Sequence, residues 1–248
     1  MAISLITGSG RKRIGWHVAL ALAKRGDKIA LHYRTSAGEA QETATALKQQ
    51  GVEAAAFAAD LTDEKAVSGL VRGVIDRFGR IDTLVNCAAI WKSKRLEDVT
   101  ADDVHAHFDV NLLGTFLCCK QAGLAMVGQD AGGAIINLGD WAARRPYTNY
   151  AAYFASKGAI PALTRSLAVE LGTRNPKVRV NCVLPGPVML PLDLPEAERK
   201  RAIEATLVQR EGSPENVVQA VLYLIDNDFV TGDSITVDGG RSIYARGS

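Results

Sequence analysis

Cysteine is scarce. The four present, Cys87, Cys118, Cys119 and Cys182, form no CxxC pair and have no histidine beside them at metal-ligand spacing. That argues against a zinc module, and so few cysteines in 248 residues argue against a disulfide framework. Three of them lie in apolar stretches, where Cys serves as a small hydrophobe. An excess of one charge is missing too: 29 basic against 27 acidic residues leave a net charge of +2. No long-range field therefore steers the chain to nucleic acid or anionic membrane. Basic clusters such as Arg11-Lys12-Arg13 are short and suit a small anionic ligand. No uninterrupted apolar segment reads as long enough to cross a bilayer. The opening MAISLITGSG lacks the charged start and longer apolar core of a signal peptide. No linker, repeat or low-complexity block divides the chain. A single cytoplasmic domain over 1–248 is expected, with no nucleic-acid or membrane partner.

What is present is a regular alternation. Short apolar runs at Ile3–Ile6, Lys28–His32, Glu53–Ala58, Asp82–Val85, Gly133–Leu138, Val178–Val183 and Ser234–Val237 read as strands. Between them lie stretches of helical period: Ile14–Lys24, a polar helix ending at Gly51, Asp63–Phe78, much of Ala101–Val127, Tyr150–Leu171 and Pro214–Ile225. Alternating β and α segments predict an α/β fold, a doubly wound parallel sheet of about seven strands with helices on both faces. Prolines concentrate between Pro185 and Pro195. An irregular, mostly apolar lid over about 188–210 is expected there.

The first strand runs into Thr7-Gly8-Ser9-Gly10-Arg11-Lys12-Arg13-Ile14-Gly15, and a helix follows. Glycines permit a tight turn, and the helix N-terminus offers free N–H groups to a pyrophosphate. By itself such a turn is weak evidence, but its place between first strand and first helix strengthens it. The second strand ends in His32-Tyr33-Arg34-Thr35-Ser36, with no carboxylate to accept from a ribose 2′-hydroxyl. Arg34 suits a 2′-phosphate, so NADPH is expected over NADH. The bland alternative is a solvated arginine. Asp60 either meets the adenine edge or starts the next helix.

Tyr153 and Lys157 stand four apart in a predicted helix, so phenol and ammonium share a face. The ammonium is expected to lower the phenol's pKa and make it a usable acid/base.

Seven ordered pieces together resemble the short-chain dehydrogenase/reductase family over nearly the whole chain. They are Thr7-Gly8 to Gly15, Asp60-Leu61, Asn86-Cys87-Ala88-Ala89, Asn111, Tyr153 with Lys157, Pro185-Gly186, and Asp238-Gly239-Gly240. The resemblance implies a Rossmann-type fold with Tyr153 as acid/base, Lys157 on the ribose and Asn111 bracing a water that leads to the lysine. It implies cofactor contacts from Gly8, Arg11, Arg13, Ile14, Tyr33, Arg34, Thr35, Ser36, Asp60, Leu61, Asn86, Ala88, Lys157, Pro185, Gly186 and Val188. It also implies a homotetramer formed through the helices near Asn111 and Tyr153.

The departures narrow this. Asp140 stands thirteen residues before Tyr153, where the family normally has serine, and Arg13 replaces a glycine of the turn. Cys87 and Ala89 replace the second Asn and the Gly of the usual NNAG stretch, and the threonine that often follows Pro-Gly is absent. Asp140 with Arg13 resembles the pteridine reductase branch, including the dihydromonapterin reductases. Tyr150, three before Tyr153, and Trp91, five after Asn86, agree with it. On that reading Trp91 stacks on a pterin, and Arg13, Asp140, Tyr150 and Tyr153 line the substrate site. NADPH would reduce a C=N bond, with an aspartic acid helping to supply the proton.

Two alternatives remain: a carbonyl reductase for 3-oxoacyl or sugar/polyol substrates, and a non-catalytic NADP(H)-sensing regulator. An ionised Asp140 would repel a developing alkoxide, and a sensor has no need of Tyr153, Lys157 and Asn111 together. Trp141 reads as core or a dimer contact. Arg144 and Arg145 read as a solvated turn before Pro146 that could also guide an anionic substrate. His17, His105 and His107 show no ligand geometry and read as surface residues; no metal site is expected.

Overall fold

Every residue of strand β1 (Ile3–Thr7) is buried, and the sheet built on it explains why. In this computed structural model, which describes residues 1–191 and 193–244, six further strands complete one sheet. They are β2 (Lys28–Tyr33), β3 (Ala54–Ala58), β4 (Thr83–Asn86), β5 (Gly133–Leu138), β6 (Val178–Pro185) and β7 (Ser234–Val237). Their order is β3-β2-β1-β4-β5-β6-β7, and all pairs are parallel. Parallel pairs require crossovers. Helices α1 (Ile14–Lys24), α2 (Ala37–Gln49) and α3 (Glu64–Phe78) supply the first of these.

Both faces of the sheet are covered, so consecutive strand residues feed opposite cores. Leu5 and Ile135 pack with Val67, Val74 and Leu171, whereas their neighbours Ile6 and Ile136 pack with Val18, Leu22 and Val221. This is the physical reason the strands read as near-continuous apolar runs.

The expected helix over Ala101–Val127 is continuous but not uniform. It comprises α4 (Ala101–His107), a π-helical turn (Phe108–Leu113) and α5 (Gly114–Val127). By length and composition alone it could cross a bilayer, a test that the core helix of a soluble protein also passes. In the fold, Leu117, Cys118, Cys119, Ala122 and Met126 of α5 are buried in the core. Helix α6 (Ala151–Gly172) packs on β6 and α5.

The segment expected to be an irregular, mostly apolar cover contains a charged helix, α7 (Glu196–Glu204), with no buried residue. Strong helix formers after Pro195 account for it. Arg199 bonds Glu211 at 2.6 Å and the Pro191 carbonyl at 2.8 Å, fastening its start. Leu192 of this segment, and residues 245–248, lie outside the described residues. The last helix, α8 (Pro214–Asp226), opens with a Ser213/Asn216 capping box.

The strand order reverses between β1 and β4, where a crevice opens at the strand C-termini. Thr7 pairs with Asn86 there, and Thr7 Oγ1 accepts from the N–H groups of Cys87 and Ala88 at 3.0 and 3.2 Å. The loops after β1 and β4 are thereby pinned together at the mouth.

Candidate active site

At the cofactor end, Gly8 has φ +65°, and a Cβ there would lie 2.7 Å from Ala88 Cα. Only glycine suits both the conformation and the close approach. A Cβ on Gly10 would come within 2.4 Å of Ser36 Oγ, which explains the second glycine. Helix α1 begins after Arg13 with no capping side chain and no acidic residue in its first turn. Its first N–H groups are left for an anion. Arg11, Arg13, Arg34 and Thr35 are exposed around this turn. The donor set and the cradle suit a dinucleotide phosphate.

The turn is held by a residue that sequence reading passed over. His32 is 2% exposed; the Gly8 N–H donates to its Nδ1 at 3.1 Å, and its Nε2 lies 3.1 Å from the Ala59 carbonyl. Nδ1 must therefore carry the lone pair and Nε2 the proton. Burial drives the imidazole pKa down to about 4.

Other expected cofactor residues are placed unevenly. Arg34 faces Asp60 at 4.0 Å, both half exposed. Asp60 accepts from the Thr62 N–H and hydroxyl, and Asp63 rather than Asp60 caps α3. Tyr33 and Ile14 are half-buried, while Ser36 lies buried beneath Gly10. The side chains of Leu61 and Val188 pack into the two cores. Asn86 is buried and bonds Asn137 and Cys119. Ala88 lies against Gly8, and Gly186 approaches Asp238 so closely that a Cβ would sit 2.5 Å from its Cα. Pro185 ends β6.

The catalytic end is compact. Tyr153 donates its hydroxyl to Asp140 Oδ2 at 2.7 Å, while Asp140 Oδ1 accepts the Ala142 N–H at 2.8 Å. The second bond starts a 3-10 turn over Trp141–Ala143, which holds the carboxyl in place. Burial raises the Asp140 pKa, outweighing the Tyr153 and Ala142 hydrogen bonds and the Lys157 charge. Lys157 is buried and donates to the Leu138 carbonyl at 2.7 Å; burial lowers its pKa.

The expectation that Lys157 makes Tyr153 more acidic is not met in this arrangement. Burial, followed by the Asp140 charge and hydrogen bond, raises the phenol's pKa. A buried phenolate facing a carboxylate is penalised twice.

Asn111 lies in the π-helical turn, a feature common at functional sites. Its Oδ1 accepts the Ile90 N–H at 2.8 Å, and its Nδ2 donates to the Ile90 carbonyl and to Ser156 Oγ. Its amide thus ties the loop after β4 to α6, and none of these bonds leads to Lys157. Trp91 is 45% exposed and stacks on Tyr150, with ring centroids 5.3 Å apart and planes 7° from parallel. Tyr150 meets Tyr153 edge-on at 6.4 Å. The structure therefore brings Trp91, Tyr150, Tyr153 and Asp140 together. The Arg13 side chain makes no hydrogen bond to any of them.

His107 corrects a surface assignment. It is 4% exposed, its Nδ1 lies 2.7 Å from the Asp103 carbonyl, and its ring meets Tyr153 edge-on at 6.3 Å. Its position four before Asn111, on the same helical face, was the available signal. His17 pairs with Glu215, and His105 is exposed, as expected. Trp141 is buried in an aromatic cluster with Tyr153 and Phe154. Among the described residues no cluster suits a metal ion.

A doubly wound parallel sheet, a glycine turn at its switch point and an Asp-Tyr-Lys group beside it define a Rossmann-type oxidoreductase. The family model described as enoyl-(acyl carrier protein) reductase matches residues 9–242, and the chain belongs to the short-chain dehydrogenase/reductase family. It is 34% identical to the uncharacterized oxidoreductase YgfF of Escherichia coli, over 97% of this chain and 100% of that protein. It is 32% identical to a 3-oxoacyl-[acyl-carrier-protein] reductase of Synechocystis, over 98% and 97% respectively. A crystal structure of a dehydrogenase/reductase from Sinorhizobium meliloti superposes with TM-score 0.89 at 34% identity, covering 97% of this chain and 94% of that one. Enzymes of this family use a nicotinamide cofactor and small-molecule substrates.

Proposed function

We propose that this enzyme is an NADPH-dependent reductase of a C=N bond in a pterin, of the dihydropterin, dihydromonapterin or dihydrofolate type. The observation that carries the reading is the 2.7 Å hydrogen bond between Tyr153 and the enclosed Asp140 carboxyl.

The glycine turn and the first N–H groups of α1 would hold the pyrophosphate, Arg34 with Thr35 the 2′-phosphate, and Lys157 the ribose. When bound, the dihydronicotinamide supplies a hydride to the substrate carbon. The chain's part is the proton. With Asp140 protonated, its hydroxyl can donate to the Tyr153 oxygen, which frees the phenolic proton for the ring nitrogen. One hydride on carbon and one proton on nitrogen balance the reduction. The phenol is regenerated as the Asp140 proton passes to it, leaving a carboxylate that water reprotonates. A raised Asp140 pKa favours the acid form this requires. Rate should therefore fall as pH rises through that pKa. Trp91 and Tyr150 offer aromatic faces for a flat bicycle, and the α7 segment would cover it.

Asp140→Ser should lower the rate with dihydrobiopterin about a hundredfold, the range of a lost general acid. It should also abolish the fall in rate at high pH. Retention of both rate and pH profile would remove Asp140 from the chemistry.

Cofactor choice follows from charge. Arg34→Asp removes a guanidinium and adds repulsion, so the NADPH-to-NADH ratio of kcat/KM should drop at least about tenfold. An unchanged ratio would exclude Arg34 from 2′-phosphate recognition.

The cyanobacterial relative favours a second reading, a carbonyl reductase acting on 3-oxoacyl thioesters. Exposed Leu113, Phe116 and Leu124 on the π turn and α5, with Val169 on α6, suit assembly into a homotetramer.

A further inference from the structure

Beside the Asp140–Tyr153 pair lies a group of charges that hydride and proton transfer leave unused. Arg241, in the turn after Asp238-Gly239-Gly240, places its guanidinium carbon 4.7 Å from the centre of the Trp141 ring. Its Nη1 donates to the Ala202 carbonyl on α7 at 3.1 Å. Arg145 Nη1 donates to the Arg241 carbonyl at 2.9 Å and also to the Tyr244 carbonyl. The segment at 241–244 is thus clasped against the 141–145 segment, which starts directly after Asp140. One guanidinium thus bridges α7 and the aromatic cluster of Trp141, Tyr153 and Phe154 beside Asp140.

That bridge is incompletely satisfied. A guanidinium carries five N–H donors, and among the described residues the Arg241 side chain finds one hydrogen-bond acceptor. Among the same residues neither Arg145 nor Arg241 has a carboxylate within ion-pair distance. The two cations repel, and Asp140 and Asp238 compensate Arg241 only through longer-range attraction. Burial destabilises the Arg241 charge further and pulls its pKa down. Proton transfer through Tyr153 needs Asp140 neutral, which removes one of those compensating charges. The guanidinium face is covered by the Trp141 indole, so its edge is what remains for a ligand. A planar fork with free donors matches an oxyanion in bidentate fashion.

We infer that Arg241 is a specificity residue, binding a carboxylate or phosphate on the end of the substrate remote from the reduced bond, with Arg145 positioning it. The inference deepens the proposed reductase and rests on its placement of substrate over Tyr153. It selects, among flat heteroaromatic substrates, those with an anionic tail. Arg145, which sequence alone leaves between solvated turn and substrate guide, gains a positioning role. Its bonds to two carbonyls fix the turn that carries Arg241.

The test compares wild type, Arg241→Gln and Arg241→Lys on substrates that share a headgroup. Dihydrofolate carries carboxylates, dihydroneopterin monophosphate a phosphate, and dihydrobiopterin a neutral tail. Arg241→Gln should lose about ten- to a hundredfold in kcat/KM, chiefly through KM, on whichever anionic substrate is used. The loss with dihydrobiopterin, whose neutral tail gives the guanidinium nothing to hold, should be several-fold smaller, and Arg241→Lys should recover part of the loss on the anionic substrates. The arm that responds identifies the oxyanion. Equal losses on charged and neutral tails, or no loss on either, would overturn the inference while leaving the pterin reading intact. If wild type reduces no pterin but does reduce 3-oxo compounds, the pterin reading fails. The same criterion then applies to acetoacetyl-CoA, which carries phosphates, against neutral ethyl acetoacetate. Turnover of neither series would overturn both.

Discussion

Tyr153→Phe should yield a folded protein that binds its nicotinamide cofactor about as tightly as wild type yet reduces substrate about 10²–10⁴ times more slowly. Phenylalanine keeps the ring packing against His107, Tyr150 and Phe154, all within 6.4 Å centroid to centroid. What disappears is one hydroxyl and its 2.7 Å bond to Asp140. The stability cost should be about 1 kcal/mol, because the orphaned carboxyl has a raised pKa and can remain protonated. Steady-state rates, NADPH fluorescence titration and a thermal melt separate the three quantities. A rate within about tenfold of wild type would make Asp140 the direct proton donor and reduce Tyr153 to a wall of the site.

Acidification should unfold this protein through a residue remote from proton transfer. Neutral His32 joins the Gly8 N–H to the Ala59 carbonyl, and protonation would put a donor against the Gly8 N–H. Its folded pKa is about 4, against an unfolded value near 6.5. Between those values the unfolded chain holds more protons than the folded one, so stability falls as pH falls. The contribution is complete above about pH 6.5 and is lost progressively down to about pH 4. At 1.36 kcal/mol per unit, the difference amounts to about 3 kcal/mol. His32→Gln retains one acceptor and one donor but does not titrate. The wild-type-minus-variant difference in unfolding free energy, from urea titrations, should grow by about that amount from pH 4 to 6.5. Parallel curves would show that His32 does not control acid stability. Since the imidazole anchors the glycine turn, affinity for the nicotinamide cofactor should weaken over the same interval.

The fold was largely legible because its signals are local and repeated. Apolar strands such as Ala134–Leu138, buried on both faces, leave nearly continuous hydrophobic runs, and glycine turns mark their ends. Helix α7 was obscured by the prolines before it, although Glu196–Glu204 is rich in helix formers. The π-helical turn at Phe108–Leu113 leaves no periodic trace that separates it from α-helix. In the candidate site, spacing pointed to Tyr153 and Lys157, which share a helix face, and the family resemblance pointed to Asp140, which the structure places against Tyr153. Spacing could not show that Lys157 turns its ammonium to the Leu138 carbonyl, which leaves burial and Asp140 to set the phenol's acidity. Nor could it show what His32, His107 or Arg241 touch. Each is placed by partners distant in sequence or by burial, and isolated histidines and arginines look like surface residues in a string.

A pterin reductase would use Asp140 and Tyr153 as a proton-delivering pair for a C=N bond. The most direct measurement follows NADPH oxidation by its near-ultraviolet absorbance in wild-type protein, with dihydrobiopterin and with acetoacetyl-CoA in parallel. Turnover of the pterin, with little or none of the thioester, is the predicted result. Ready reduction of the thioester and none of any pterin would contradict pterin reduction and make the enzyme a carbonyl reductase.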